Sequence, residues 1–106
     1  MRDRRFGKTN LPLSVFSLGT MRCLASESVA IQTVQRAIAL GINHLETARG
    51  YGNSERYLGA ALKSGLGISR DRLYITTKLS PTPNADQMER QIDESLQRLG
   101  LDYIDT

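Results

Sequence analysis

Tryptophan is absent from these 106 residues, and cysteine, histidine and proline are scarce: one Cys, one His and three Pro. A lone cysteine, Cys23, forms no intrachain disulfide, so the fold rests on an ordinary core, which fits a reducing, cytoplasmic setting. One histidine and one cysteine at unrelated spacing make no ligand cluster, so no metal is expected. No apolar stretch approaches the roughly 20 residues a membrane helix needs, and no membrane association is expected. The start, Met1-Arg2-Asp3-Arg4-Arg5, is basic but leads into no apolar h-region, so no secretory signal is expected. Charge of one sign is also in short supply. The net +3 lies wholly in the first eight residues, where Arg2, Arg4, Arg5 and Lys8 outweigh Asp3; bases and acids balance over the rest. A nucleic-acid surface more often spreads a basic face with interleaved aromatics. A solvated basic N-terminus is therefore expected, and no nucleic-acid partner.

What is present is the composition of an ordinary soluble domain, 40% hydrophobic and 24% charged, long enough for a single small core. Arg4 to Phe6 and Pro12 to Val15 flank the turn-like Gly7-Lys8-Thr9-Asn10 and predict a short hairpin. Phe16 to Gly19 reads as a first core strand. Ser26 or Ser28 caps a helix with Ile31, Val34 and Ile38 at helical spacing, stopped by Gly41. A short strand follows at Asn43 to Glu46. Asn53 or Ser54 caps a second helix carrying Leu58, Ala61 and Leu62, ending near Gly65. Leu73 to Leu79 reads as a third strand. Asn84 caps a third helix with Met88, Ile92, Leu96 and Leu99 in register, stopped by Gly100, and Tyr103 to Thr106 begins a fourth strand.

Strict alternation of strand and helix means parallel strands joined by crossover helices, laid side by side in one sense. A closed eightfold barrel takes about 250 residues, so the expected fold is α/β, the N-terminal half of a (β/α)8 TIM barrel. It comprises one partial domain over residues 1–106: a hairpin over 1–15, then three βα units and a fourth strand over 16–106. An open flavodoxin-like sheet is the competitor, but Thr20-Met21-Arg22-Cys23 after the first strand does not resemble a phosphate-cradling loop.

Side chains alternate between the faces of a strand. His44 and Glu46 share one face with Thr76 and Lys78 of the next strand, while Leu45, Leu73 and Ile75 face the helices. Two neighbouring strands thus bring an ionisable residue to their C-terminal ends, where parallel α/β folds build sites. A carboxylate and an ammonium are tolerable there as a pair, so Glu46 and Lys78 are expected to meet. Tyr51 follows between Gly50 and Gly52. A free phenol, with a pKa near 10, is a poor acid at neutral pH; an ammonium beside it favours the phenolate and makes it usable as a general acid. The alternative is a surface tyrosine beside a structural ion pair.

The stretch Gly41-Ile42-Asn43-His44-Leu45-Glu46-Thr47-Ala48, then Tyr51-Gly52-Asn53-Ser54-Glu55 and Leu58-Gly59-Ala60-Ala61-Leu62, resembles the aldo-keto reductases. Arg5-Phe6-Gly7-Lys8-Thr9, Leu18-Gly19-Thr20-Met21, Thr76-Thr77-Lys78 and Ser95-Leu96-Gln97-Arg98-Leu99-Gly100-Leu101-Asp102-Tyr103-Ile104-Asp105 extend the resemblance over essentially the whole chain. It implies a (β/α)8 barrel that binds NADP(H) without a Rossmann domain and reduces a small-molecule aldehyde or ketone to an alcohol. Hydride comes from the nicotinamide, and a tyrosine protonates the oxygen. By that resemblance Tyr51 is the general acid and Lys78 the lysine that tunes it. Glu46 stands where the family usually has aspartate, and Gly19, Thr20 and Met21, with Glu46, line the nicotinamide side.

Glutamate for aspartate adds a methylene, and a shift of about an ångström can cost roughly 100-fold in rate. The family's catalytic histidine follows the fourth strand, and the sequence given stops at Thr106. An N-terminal fragment with little activity alone is therefore expected, with exposed barrel edges as a route to self-association. A nicotinamide-binding regulatory or interaction module without significant turnover is the other functional expectation. His44, a layer below Glu46, reads as a hydrogen-bonded core histidine. Cys23 reads as a small packed hydrophobe. Gly65-Leu66-Gly67 ends a helix instead of following a strand and is no dinucleotide fingerprint. Glu55 is expected to serve the second helix's N-terminus.

Overall fold

The computed structural model describes residues 1–22 and 25–106; the expectation for Cys23 lies outside them. An antiparallel hairpin opens the chain, β1 (Asp3–Phe6) against β2 (Leu11–Ser14), turned through Asn10 at φ 59°. The remainder alternates: β3 (Leu18–Gly19), α1 (Glu27–Ala39), β4 (His44–Glu46), α2 (Ser54–Lys63), β5 (Tyr74–Thr76) and α3 (Ala85–Leu99). Strands β3, β4 and β5 form one parallel sheet in sequence order, with Leu18 opposite Leu45, Gly19 opposite Glu46, and Leu45 opposite Ile75.

Local chemistry accounts for the helix ends. The Ser26 hydroxyl accepts from the Val29 amide and the Asn84 side chain from the Gln87 amide, each satisfying an orphan donor of the first turn. Gly100 ends α3 in the left-handed region, at φ 67°, where an L side chain would be strained. Helices α1, α2 and α3 lie over one face of the sheet. Val34, Leu45, Leu58, Ala61, Leu73, Ile75 and Leu99 form the core between them. Burying a side chain such as Leu45 or Ile75 contributes roughly 1.5–3 kcal/mol. The opposite face of the sheet carries His44, Glu46 and Thr76, as the alternation requires.

Four expectations need correction. Phe16 is 66% exposed and belongs to no strand; its carbonyl accepts from the Ser14 hydroxyl in a bend, and pairing starts only at Leu18. The third strand is confined to Tyr74–Thr76 instead of Leu73 to Leu79, although the amides of Thr47 and Arg49 still reach the carbonyls of Thr76 and Lys78. Tyr103 to Thr106 forms no strand. The amides of Asp105 and Thr106 both turn to the Ile75 carbonyl, and the Asp105 carboxylate accepts from the Ile75 amide, so a side chain holds the donor a parallel neighbour would pair with. Finally, Met88 and Ile92 are each 43% exposed, because α3 buries Ser95 and Leu99 at its C-terminal end and leaves its first half uncovered.

Among the described residues no helix is long and apolar enough to cross a membrane, and no group of three His, Cys, Asp or Glu side chains could hold a metal ion.

Candidate active site

Glu46 is the last residue of β4, and its register partner on β3 is Gly19. The absence of a side chain at Gly19 leaves room for the carboxylate: a Cβ there would lie 3.4 Å from Glu46 Oε2. Lys78 arrives from the segment after β5, and its ammonium forms an ion pair with Glu46 Oε1. The same Nζ donates to the Thr47 carbonyl at 3.2 Å and to Tyr51 Oη at 3.2 Å. It also lies 4.9 Å from the centroid of the Tyr51 ring.

Tyr51 is presented by a tight turn. Its amide donates to the Ala48 carbonyl and its carbonyl accepts from the Ser54 amide, so the ring sits between the end of β4 and the start of α2. Of the two flanking glycines only Gly52 uses the left-handed region, at φ 56°. The Arg49 amide donates to the Lys78 carbonyl at 3.0 Å, tying this turn to the segment after β5 that carries the lysine. The structure thus brings together Glu46, Tyr51, Lys78 and Gly19.

An ammonium has three protons and no acceptor capacity. Here all three have partners: Glu46 Oε1, the Thr47 carbonyl and Tyr51 Oη. The tyrosine oxygen can only accept from the lysine, so its own O–H is left to donate elsewhere. The lysine side chain is 50% exposed, and an ion pair that open to solvent contributes no more than about 1 kcal/mol to stability. The fold therefore draws little of its stability from this ion pair.

Thr20 lies beneath the site and Met21 on the turn beyond it. Thr20 is buried, with its hydroxyl bonded to the Glu46 carbonyl at 3.0 Å and to Ser54 Oγ at 2.6 Å, whereas Met21 is exposed on the following turn. His44 sits below Glu46 and is hydrogen-bonded as expected, Nδ1 2.6 Å from Ser17 Oγ and Nε2 2.8 Å from Thr76 Oγ1, but it is half-buried and lies outside the core. Burial holds its pKa below the ordinary 6.5, opposed by the nearby Asp105 carboxylate. Glu55 does occupy the first turn of α2, but its carboxylate is only 2% exposed and bonds the Thr77 hydroxyl at 3.1 Å and the Arg98 guanidinium at 3.3 Å. It ties α2 to α3 and to the end of β5. Sequence reasoning did not find that bridge, nor the role of Ser54, whose only sequence signal was a small hydroxyl residue at a helix start. A groove of about 940 Å³ lies between α2 and α3, lined by Leu62, Leu66, Ile68, Leu101 and Tyr103; none of the site residues borders it.

Residues 16–106 match the model of the aldo/keto reductase family. An aldo-keto reductase of Bombyx mori is 39% identical over 101 residues, covering 88% of this chain and 32% of that protein. Glycerol 2-dehydrogenase (NADP(+)) of Saccharomyces cerevisiae is 36% identical over 97 residues, covering 92% and 30%. An NAD/NADP-dependent indole-3-acetaldehyde reductase of Schizosaccharomyces pombe is 32% identical over 99 residues, covering 90% and 34%. Among solved structures, the holo form of an aldo-keto reductase from Bacillus halodurans superposes with a TM-score of 0.84 at 27% identity, over 98% of this chain and 38% of that one. Parallel strands with helices laid over one face are the class the fold defines, one shared with these solved structures, and the chain belongs to the aldo/keto reductase family. It spans about a third of the length of the curated relatives it matches.

Proposed function

We propose that the protein is an NADP(H)-dependent oxidoreductase that reduces aldehydes or ketones to alcohols, and that residues 1–106 supply the proton-donating part of its site. The observation that carries this is the Lys78 ammonium held 3.2 Å from Tyr51 Oη while its other protons are occupied by Glu46 and the Thr47 carbonyl.

The chemistry of the strand ends fits a nicotinamide. A glycine at the end of β3 leaves a low rim against the Glu46 carboxylate that pairs with Lys78. Gly19 and Glu46 would border the ring there, with Met21 on the adjoining turn; Thr20 contributes through its buried hydroxyl, which holds the rim in shape. When bound, the reduced nicotinamide supplies a hydride. Tyr51 donates its proton to the carbonyl oxygen as negative charge develops on it. Lys78 stabilises the phenolate that remains, by charge and by a hydrogen bond already formed. Glu46 holds the ammonium in place through the ion pair. Proton transfer by a positioned side chain contributes typically 100- to 10,000-fold.

On the protein expressed from its full reading frame, carbonyl-dependent NADPH oxidation is expected to fall by roughly that factor in Tyr51→Phe, with NADPH binding by fluorescence unchanged. Equal rates in the two proteins would remove the catalytic assignment. They would favour the second reading, a nicotinamide-binding regulatory or interaction module, which the glutamate at position 46 suggests. Comparing NADPH with NADH in the same assay tests the cofactor preference.

A further inference from the structure

We infer that Ser54 is a positioning residue of this site: its hydroxyl joins Thr20 and Thr47 in a buried knot that fixes the strand ends from which Tyr51 and Lys78 are held. The inference rests on the reading of Tyr51 and Lys78 given above.

Ser54, Thr20 and Thr47 are each at most 2% exposed, so bulk solvent does not reach their hydroxyls. Ser54 Oγ lies 2.6 Å from Thr20 Oγ1, 2.9 Å from Thr47 Oγ1 and 3.2 Å from the Thr20 carbonyl. A hydroxyl has one proton and two lone pairs. The Thr20 hydroxyl gives its proton to the Glu46 carbonyl at 3.0 Å, so toward Ser54 it can only accept. The Ser54 proton is therefore donated to Thr20, to Oγ1 at 2.6 Å with the carbonyl at 3.2 Å as the second acceptor, and Ser54 Oγ accepts from the Thr47 hydroxyl. A methyl group in place of the Ser54 hydroxyl would strand the Thr47 hydroxyl in the interior.

The position of the knot gives it a role beyond packing. Thr47 carries the carbonyl that receives the Lys78 ammonium. Thr20 follows Gly19, and both its amide, at 2.9 Å, and its hydroxyl reach the carbonyl of Glu46, the residue paired with Lys78. The Ser54 amide donates to the Tyr51 carbonyl at 2.9 Å. One serine is therefore bonded to the segment that carries the tyrosine, to the one that anchors the lysine and to the one beneath the carboxylate. Asn53, at the N-cap position of α2, makes no side-chain cap, so Ser54 acts here through the knot and not as a cap.

A misplacement of about an ångström at a reacting group costs up to roughly 100-fold in rate. In the whole protein, Ser54→Ala is expected to lower kcat by about 10- to 100-fold with KM for NADPH nearly unchanged, and to speed hydrogen exchange at the Thr20 and Arg49 amides more than in α1. The triple variant Ser54→Ala/Thr20→Val/Thr47→Val leaves no stranded hydroxyl. Its Tm is expected to recover toward wild type while kcat stays low, a split that a purely structural role would not produce. Thr47→Val should lower kcat and Thr47→Ser restore it, a comparison that stands even where Ser54→Ala fails to fold. Recovery of kcat together with Tm in the triple variant would overturn the inference, as would full kcat in Thr47→Val. A wild-type protein without Tyr51-dependent turnover would overturn the functional reading instead. The exchange pattern would then decide on its own: uniform loss of protection counts against the knot, and loss confined to the strand ends supports it.

Discussion

At the scale of single residues, exposure and hydrogen-bond capacity separate side chains that hold the fold from those free to act. Lys78 and Glu46 pair near the surface, so Lys78→Met should leave the urea midpoint of unfolding almost unmoved, within the roughly 1 kcal/mol expected of an exposed ion pair. His44 behaves oppositely. Its folded-state pKa is held below the 6.5 of the unfolded chain, so between those two values the unfolded state binds more protons and stability rises with pH. The stabilisation is whole above pH 6.5 and is lost as pH falls toward the folded pKa. Urea titrations across pH 5 to 8 should show this slope in the wild type and a flatter one in His44→Gln; identical slopes would mean that His44 is not the group responsible. The meeting of Glu46 and Lys78 was legible from alternation along two adjacent segments, which is a local rule, and that of Tyr51 from its place on the loop just after Glu46. The knot at Ser54 was not. Its partner Thr20 lies 34 residues away, and capping alone accounts for a serine at a helix start, whereas here the hydroxyl is turned inward.

At the scale of elements, α1 and α3 were legible to within a residue or two because their caps are chemical, with Ser26, Asn84 and the left-handed Gly100 where those residue types belong; the side-chain cap expected of Asn53 or Ser54 on α2 is not made. Strand lengths were not, since a strand ends where its neighbour stops pairing. Phe16 shows this; its sequence favours a strand, but β4 offers no register partner before Leu18. Met88 and Ile92 show the same limit for a helix face, which has the right spacing whether or not something covers it. The α2–α3 contact depends on Gly59, where a Cβ would collide with the Arg98 carbonyl and come 3.1 Å from the Leu99 Cα. Gly59→Ala improves helix propensity by about 1 kcal/mol, yet the helices would have to part. Overpacking of this kind costs about 1–3 kcal/mol, and because the obstacle is backbone the net change in a denaturant titration should be destabilising. A stabilised variant would show that α2 and α3 are less closely packed.

At the scale of the molecule, alternation of strand and helix was enough to give a parallel α/β arrangement, and likeness to whole barrels accounts for the strand ends where the site residues collect. A three-stranded sheet leaves backbone donors and acceptors at its rims and one face without helices, and such surfaces invite association. The 106-residue chain is accordingly expected to scatter light as a species heavier than its 11.8 kDa, and a clean monomer would show that its rims are adequately covered. The central claim is that Lys78 and Tyr51 act as one proton-donating unit. It is tested most directly by a double-mutant cycle on carbonyl reduction in the whole protein, with Tyr51→Phe, Lys78→Met and the two combined. Groups that work as a unit lose their effect together. Each single change should therefore lower kcat substantially, with the double variant no worse than the poorer single. Losses that multiply, or a Tyr51→Phe protein as fast as the wild type, would contradict the account.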